Sequence, residues 1–368
     1  MRVSKTIYVI AAARPNFMKV APLWRALTAR PGVFRPVLVH TGQHYDKNMS
    51  GVFFEELGLP APDVHLGVGG GSHAQQTAGV MLGFESLCQA ERPDLVVVVG
   101  DVNATMATSV TAAKLGIPVA HVEAGLRSRD MTMPEEINRL LTDAIADLLF
   151  TPSADADRNL LAEGVSPSRI KLVGNIMIDS LVKSVERARS LKTCEELGLA
   201  PGRFGVVTLH RPANVDDADN LAGILRALAG IPIPLVFPVH PRTRAVMQNH
   251  CLVENCGLAD SRLILAEPMG YYEFMNLVIH SKLAITDSGG LQEETTWLGV
   301  PCLTLRPNTE RPITVLEGTN ELATVSSLAD QAATILTGNW KTGRVPDLWD
   351  GHAAPRIVDG IENFFNNP

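Results

Sequence analysis

Short apolar runs alternate with longer amphipathic stretches twice along this chain, and that rhythm leaves few folds open. In the first half the apolar runs are 6–12, 37–40, 94–100, 118–121 and 148–151, with helical periodicity over 17–30, 104–115 and 134–147. In the second half they are 204–209, 234–239, 262–266, 282–286 and 301–305, and helical periodicity returns over 328–336 and 354–365. A strand whose residues are nearly all apolar is buried on both faces, and strands separated by helices run parallel. The pattern therefore predicts an α/β architecture, built twice, in which helices cover both faces of a parallel sheet.

A chain of 368 residues exceeds one typical domain, so two Rossmann-like, doubly wound domains are expected, with an interdomain cleft between them. The charged helical stretch 179–197 and the Ala200-Pro201-Gly202 that follows it mark the break. We place the first domain at 1–173, the second at 174–352, and a C-terminal helix at 353–368 packing back on the first. Hydrophobic content of 46% with 19% charged residues excludes a disordered chain. A net charge of −7 with no basic block argues against nucleic acid, so an anionic ligand must be held by local cations. No apolar stretch reaches the roughly 20 residues that span a bilayer, and the apolar start runs directly into Arg14-Pro15, as a buried first strand does and a signal peptide does not. A cytoplasmic protein is expected, with its five scattered cysteines reduced. His250, Cys251 and Cys256 lack a second matching pair, so no metal is expected. No G-x-G-x-x-G follows the first strand, which argues against bound NAD, and the glycine-rich 67–71 reads as a mobile loop with no strand before it.

In open parallel sheets ligands bind at the carboxyl ends of strands, and the chemistry-bearing residues stand there. The segment 286–294, Thr-Asp-Ser-Gly-Gly-Leu-Gln-Glu-Glu, lies between an apolar strand and a helix. Ser288, Gly289 and Gly290 put small residues where the first N–H groups of a helix are unpaired, a geometry suited to phosphate, with Glu293 and Glu294 a turn later within reach of sugar hydroxyls. An ordinary capped helix is the competing reading of that segment alone. Three carboxylates follow first-half strands or open a helix: Asp101, Glu123 and Glu135. Asp101 also reads as an N-cap, and Glu135 and Glu136, opening a helix after Pro134, as dipole partners, whereas Glu123 directly after an apolar strand has little structural reason to be there. Together they could supply the acid and base of one reaction. His210-Arg211, His240 and Arg311 add cations or proton donors for an anion. Tyr271 and Phe274 could line a base pocket or simply start a helix with core aromatics.

Taken together, Ala-Arg-Pro-Asn-Phe-Met-Lys (13–19), Thr-Gly-Gln-His-Tyr-Asp (41–46), Gly-Asp-Val-Asn (100–103), His-Val-Glu-Ala-Gly-Leu-Arg (121–127), Pro-Glu-Glu-Ile-Asn-Arg (134–139), Thr-Asp-Ser-Gly-Gly (286–290) and Thr-Glu-Arg-Pro (309–312) form an ordered set. The chain resembles the bacterial non-hydrolysing UDP-N-acetylglucosamine 2-epimerases from its first strand to about Trp349. The resemblance implies the GT-B fold, a cytoplasmic homodimer, and interconversion of UDP-GlcNAc and UDP-ManNAc without a cofactor, supplying surface polysaccharide synthesis. It further implies that Arg14, Ser288, Gly289 and Gly290 hold the diphosphate, that Glu294 holds the ribose, and that His240 and Arg311 assist on the UDP side. Asp101, Glu123, Glu135 and His210 match the catalytic set, with Lys19 nearby. Departures are present: Ala12-Ala13 stands where the family has a glycine before its Thr-Arg-Pro. Of the family's contacts for an activating second UDP-GlcNAc, Gln43 remains while Asp46 and Gly69 replace the others. Relatives acting on UDP-diacetamido-uronic acids share these motifs, and a GT-B glycosyltransferase, a hydrolysing epimerase and a non-catalytic nucleotide-sugar sensor are the other expectations to be separated.

Overall fold

The computed structural model describes residues 4–12, 14–42 and 57–366. Gln43 and Asp46 lie outside the described residues. The chain forms two compact units, one of Met1–Ser180 with Asp347–Pro368 and one of Leu181–Pro346. The division falls after Ser180, inside the helix Ile176–Ser190, and again before Asp347, against the 173/174 and 352/353 expected.

In the first unit the strands are β1 (Lys5–Ala11), β2 (Phe34–His40), β3 (Val64–His65), β4 (Leu95–Val99), β5 (Val119–Val122), β6 (Leu148–Thr151) and β7 (Ile170–Leu172). They pair in parallel in the order β3-β2-β1-β4-β5-β6-β7. Every residue of β4 is buried, as its Leu-Val-Val-Val-Val sequence requires of a central strand. The second unit contains β8 (Gly205–Thr208), β9 (Leu235–Pro238), β10 (Leu263–Ala266), β11 (Leu283–Thr286), β12 (Cys302–Leu305) and β13 (Asn320–Ala323). Their order is β10-β9-β8-β11-β12-β13, again parallel. Sheet order reverses beside β1 and β4 in one unit and beside β8 and β11 in the other, so the loops after these strands are where a doubly wound sheet binds its ligand.

Three strands lie outside the apolar runs of the sequence, the short edge strand β7 among them. β3 is two residues long, and β13 is an edge strand whose Asn320 spends its side chain on Thr304, Thr314 and Gln292 rather than on an apolar core. β3 also corrects the reading of 67–71: a strand does precede the glycines. After them Ser72 and Gln75 form a reciprocal capping box that opens the helix His73–Ala90. The last helix, Ala353–Asn366, lies beside Arg14–Thr28 in the first unit, where Arg30 pairs with Asp359 and with Glu362 at 2.6 Å. Its N-terminus is capped by Asp179, which accepts from the Ala353 and Ala354 amides at 3.0 and 2.8 Å. No helix among the described residues is long and apolar enough to cross a membrane.

Candidate active site

At the end of β4 the chain turns through Gly100, whose φ of +70° suits glycine. A Cβ there would stand 3.3 Å from the Glu123 carboxylate, 3.4 Å from the Lys19 ammonium and 3.5 Å from the Asn16 amide. Those three side chains crowd the turn because Lys19 and Glu123 form a buried ion pair, while Asn16 donates to the Val99 carbonyl at 2.9 Å. Glu123 itself has φ of +72°, a left-handed conformation that costs a non-glycine residue on the order of 1 kcal/mol or more. The Phe150 carbonyl fixes it by accepting from both the Glu123 and Ala124 amides at 3.0 Å. A strained carboxylate held against an ammonium, directly after an apolar strand, is the arrangement the sequence flagged at Glu123.

Asp101 is not the helix cap. The helix Asn103–Lys114 begins after Val102 with no side-chain cap, and the half-buried Asp101 carboxylate instead pairs with the fully buried Arg139 guanidinium. Arg139 also engages Glu136 at 2.6 Å. Glu136 in turn accepts from the Ser128 and Arg129 amides, both at 2.9 Å, and its carboxyl is held below the ordinary range: burial alone would raise it, but those donors outweigh burial. The structure therefore brings the Asp101 turn beside Glu123, with Lys19 reaching both from the helix Arg14–Thr28. Glu135 stands exposed at the start of the helix Pro134–Ile145, and no contact among the described residues ties it to the other two carboxylates.

In the second unit Ser288 caps the helix Gly289–Leu298. Its hydroxyl makes no capping bond, and its amide donates to Thr286 Oγ1 at 2.9 Å. Gly289 is needed for a reason the sequence did not reveal: a Cβ would lie 2.5 Å from Arg311 Nη1 and 2.9 Å from Glu310 Oε1. Arg311 is thus packed over the first residue of the helix, held by Glu310 and by Glu293 at 2.8 Å. This places a buried guanidinium beside the positive end of a helix, two features that favour a phosphate. Glu294 is buried and accepts the Tyr271 hydroxyl at 2.9 Å, and burial, reinforced by the Glu293 charge, pushes its carboxyl up to about 7. Tyr271 opens the helix Tyr271–His280, in which Phe274 is half-buried. The Arg187 guanidinium lies over the Tyr272 ring, 4.1 Å from its centroid.

His210 follows β8 with its side chain about half exposed, and its Nδ1 lies 2.8 Å from the fully buried Asp287 carboxylate. Asp287 also accepts from the amides of His210 and Arg211 and from Asn214 Nδ2 at 3.0 Å, and its carbonyl accepts from Arg211 Nε at 2.9 Å. Burial would raise this carboxyl, yet His210 and the amide donors hold it below its ordinary range. Since Asp287 is an acceptor, Nδ1 of His210 carries the proton and Nε2 faces outward. His240 caps the helix Pro241–Asn249 and accepts from the Arg242 amide at 3.3 Å.

Sequence reasoning gave no anchoring role to Arg139, Glu136, Asp287, Glu293 or Glu310, all of which hold predicted residues in place. Asp287 and Glu293 were inside the quoted 286–294 segment, and an acid three residues before an arginine on a helix, Glu136 and Arg139, is a recognisable pair.

Two parallel-sheet domains with polar clusters at the carboxyl ends of their strands define the GT-B class of nucleotide-sugar enzyme. Within that class, the chain belongs to the UDP-N-acetylglucosamine 2-epimerase family, whose model matches residues 25–362. A UDP-N-acetylglucosamine 2-epimerase homolog from Methanococcus maripaludis is 44% identical over 365 residues, covering 97% of this chain and 99% of that one. The UDP-2,3-diacetamido-2,3-dideoxy-D-glucuronate 2-epimerase of Pseudomonas aeruginosa is 42% identical over 322 residues, covering 86% and 87%. The crystal structure of Methanocaldococcus jannaschii UDP-GlcNAc 2-epimerase in complex with UDP-GlcNAc and UDP superposes with a TM-score of 0.87 at 38% identity, covering 97% and 99%.

Proposed function

We propose that this isomerase interconverts UDP-GlcNAc and UDP-ManNAc by eliminating UDP to 2-acetamidoglucal and adding it back. The C2 proton of an N-acetylhexosamine has no adjacent carbonyl carbon to stabilise an anion, so direct abstraction is prohibitively slow. Breaking C1–O first gives C1 oxocarbenium character and acidifies C2–H. Re-addition of UDP after protonation on the opposite face inverts C2. The scheme needs a preorganised anion seat for the leaving diphosphate and at least two proton-transfer groups. The observation that carries it is the juxtaposition of Glu123 and the Asp101 turn at adjacent strand ends of one domain, with Lys19 reaching them from the helix Arg14–Thr28. The Ser288–Gly290 helix start with Arg311 in the other domain supports the seat.

In this reading Arg14, Ser288, Gly289, Gly290, Arg211, His240 and Arg311 serve the diphosphate. Glu294, with Tyr271 and Phe274, serves the nucleoside, and Asp101, Glu123, Glu135 and His210 move the protons. The enzyme works without a cofactor, as a homodimer in the cytoplasm, feeding a surface polysaccharide. The similarity to the P. aeruginosa protein favours one second reading, epimerisation of a UDP-diacetamido-uronic acid. Proton NMR of each nucleotide sugar with the enzyme in D2O separates the two. The expected result is UDP-ManNAc with deuterium at C2 of both epimers. Product without label would refute the elimination route, free ManNAc with UDP would indicate hydrolysis, and turnover of the uronic acid alone would reassign the substrate.

A further inference from the structure

One buried histidine lies between the two turns that carry the proposed proton-transfer carboxylates. His121, on β5, is fully inaccessible to solvent. Its Nε2 lies 2.8 Å from the Gly100 carbonyl, the residue before Asp101, and its Nδ1 lies 2.6 Å from Asp143 Oδ1. The second Asp143 oxygen accepts from the Gly125 amide at 3.0 Å, two residues after Glu123, and pairs with Arg127 at 2.7 Å. Arg127 also forms two bonds to the Glu163 carboxylate, at 2.8 and 2.7 Å. Burial would raise the Asp143 carboxyl, but His121 and Arg127 outweigh it and hold it below the ordinary range. Both groups facing the imidazole are therefore acceptors, and the ring donates from both nitrogens.

We propose that His121 is a positioning residue: by bonding Gly100 on one side and Asp143 on the other, it fixes the Asp101 turn and the Glu123 turn relative to each other. The inference rests on the proposed proton-transfer role of those two carboxylates. No reacting atom touches His121. Its contribution is the register of the groups that do act, and a displacement of about 1 Å in such groups lowers a rate on the order of 100-fold. A purely space-filling histidine would need neither bond, and a core strand such as Val119–Val122 would accept an apolar residue in its place.

The test compares His121→Asn with His121→Gln. The asparagine amide sits where Nδ1 was and can keep the Asp143 bond while losing Gly100; the longer glutamine amide reaches toward the Gly100 carbonyl. Parental turnover is measured first, so that absence of conversion counts against the proposed function and not against the clamp. With an active parent, His121→Asn is expected to lower kcat roughly 100-fold, with KM and the Kd for UDP within about twofold of parental values, and His121→Gln is expected to recover at least about tenfold of that loss. Equal losses in the two variants that follow their melting temperatures, or unchanged kcat in both, would overturn the proposal. Nitrogen-15 NMR of the parent protein gives a reading that does not depend on a variant folding. The His121 Nε2 resonance is expected in the protonated range with a slowly exchanging proton, and an unprotonated Nε2 would overturn the clamp.

Discussion

Replacing Glu294 by Gln tests the electrostatics of the second domain most directly, because glutamine keeps an oxygen for the Tyr271 hydroxyl and removes only the charge. Burial, with a further push from Glu293, raises the Glu294 carboxyl from 4.5 to about 7, against the opposing pull of Tyr271. The unfolded chain releases this proton near 4.5, whereas the folded chain keeps it to about 7. Between those values the folded state binds more protons, so the carboxyl costs stability progressively as pH rises through the window, and the full penalty is present above it. The gap, 7 minus 4.5, is about 2.5 pH units. At roughly 1.4 kcal/mol per unit it amounts to about 3 kcal/mol. For a domain of this size that corresponds to roughly 6–12 °C in Tm. Calorimetric melting at pH 5 and pH 8 should show Glu294→Gln close to the parent at the lower pH and more stable by that order at the higher. An equal difference at both pH values would refute the argument. The ribose role has its own readout. A diol that donates to an ionised carboxylate makes UDP binding release protons near and below pH 7, so the calorimetric heat should depend on buffer, and Glu294→Gln should weaken UDP. If neither occurs, Glu294 does not hold the ribose even though the stability reasoning stands.

Gly289→Ala is expected to displace Arg311, since the new Cβ would lie 2.5 Å from Nη1. A destabilisation of about 1–3 kcal/mol and at least about a tenfold loss of UDP affinity by calorimetry should follow, and unchanged affinity would remove Arg311 from the diphosphate seat. Asp287→Asn faces the His210 and Arg211 amides with an amide of its own and should cost about 3 kcal/mol near neutral pH. Because the folded Asp287 carboxyl lies below its ordinary value, its stabilisation is present above that value and lost as pH falls through the folded one. Urea unfolding at pH 7 and near pH 3 should therefore show the variant's deficit shrink in acid, and a constant deficit would show that the Asp287 charge contributes nothing.

How much of this was legible in the sequence follows from which physics each residue obeys. Strands buried on both faces must be apolar runs, and ten of them were readable for that reason; β3, β7 and β13 were not, being a two-residue strand, a largely exposed three-residue edge and a polar edge. The positions of Asp101, Glu123, His210 and Ser288 after strands followed from topology. Their partners did not, because Asp101 meets Arg139 across 38 positions and Lys19 meets Glu123 across 104. Local propensity made a cap of Asp101 and offered Glu135 and Glu136 as equivalent acids. The tertiary structure distinguishes the latter two completely: Glu136 is buried under Arg139 and two backbone amides, while Glu135 faces solvent.

That distinction bears on how the domain divides its labour. Acids whose oxygens are saturated by fixed donors, such as Glu136 and Asp143, cannot exchange protons without losing several bonds, and burial makes each loss expensive. They are suited to holding other groups still. Glu123 pairs with Lys19 and Asp101 with Arg139, on turns that follow the strand ends. A carboxylate paired with a cation can change its proton occupancy as charge builds up on a substrate, provided its position is fixed from behind. The buried set supplies that fixing: Arg139 is locked to Glu136, and His121 and Asp143 lock the backbone on either side of Asp101 and Glu123. The second domain repeats the arrangement. Asp287, saturated and inaccessible, orients the half-exposed His210, and Glu310 with Glu293 orients Arg311. In both halves the residues suited to chemistry are therefore one bond removed from the residues that the fold cannot release.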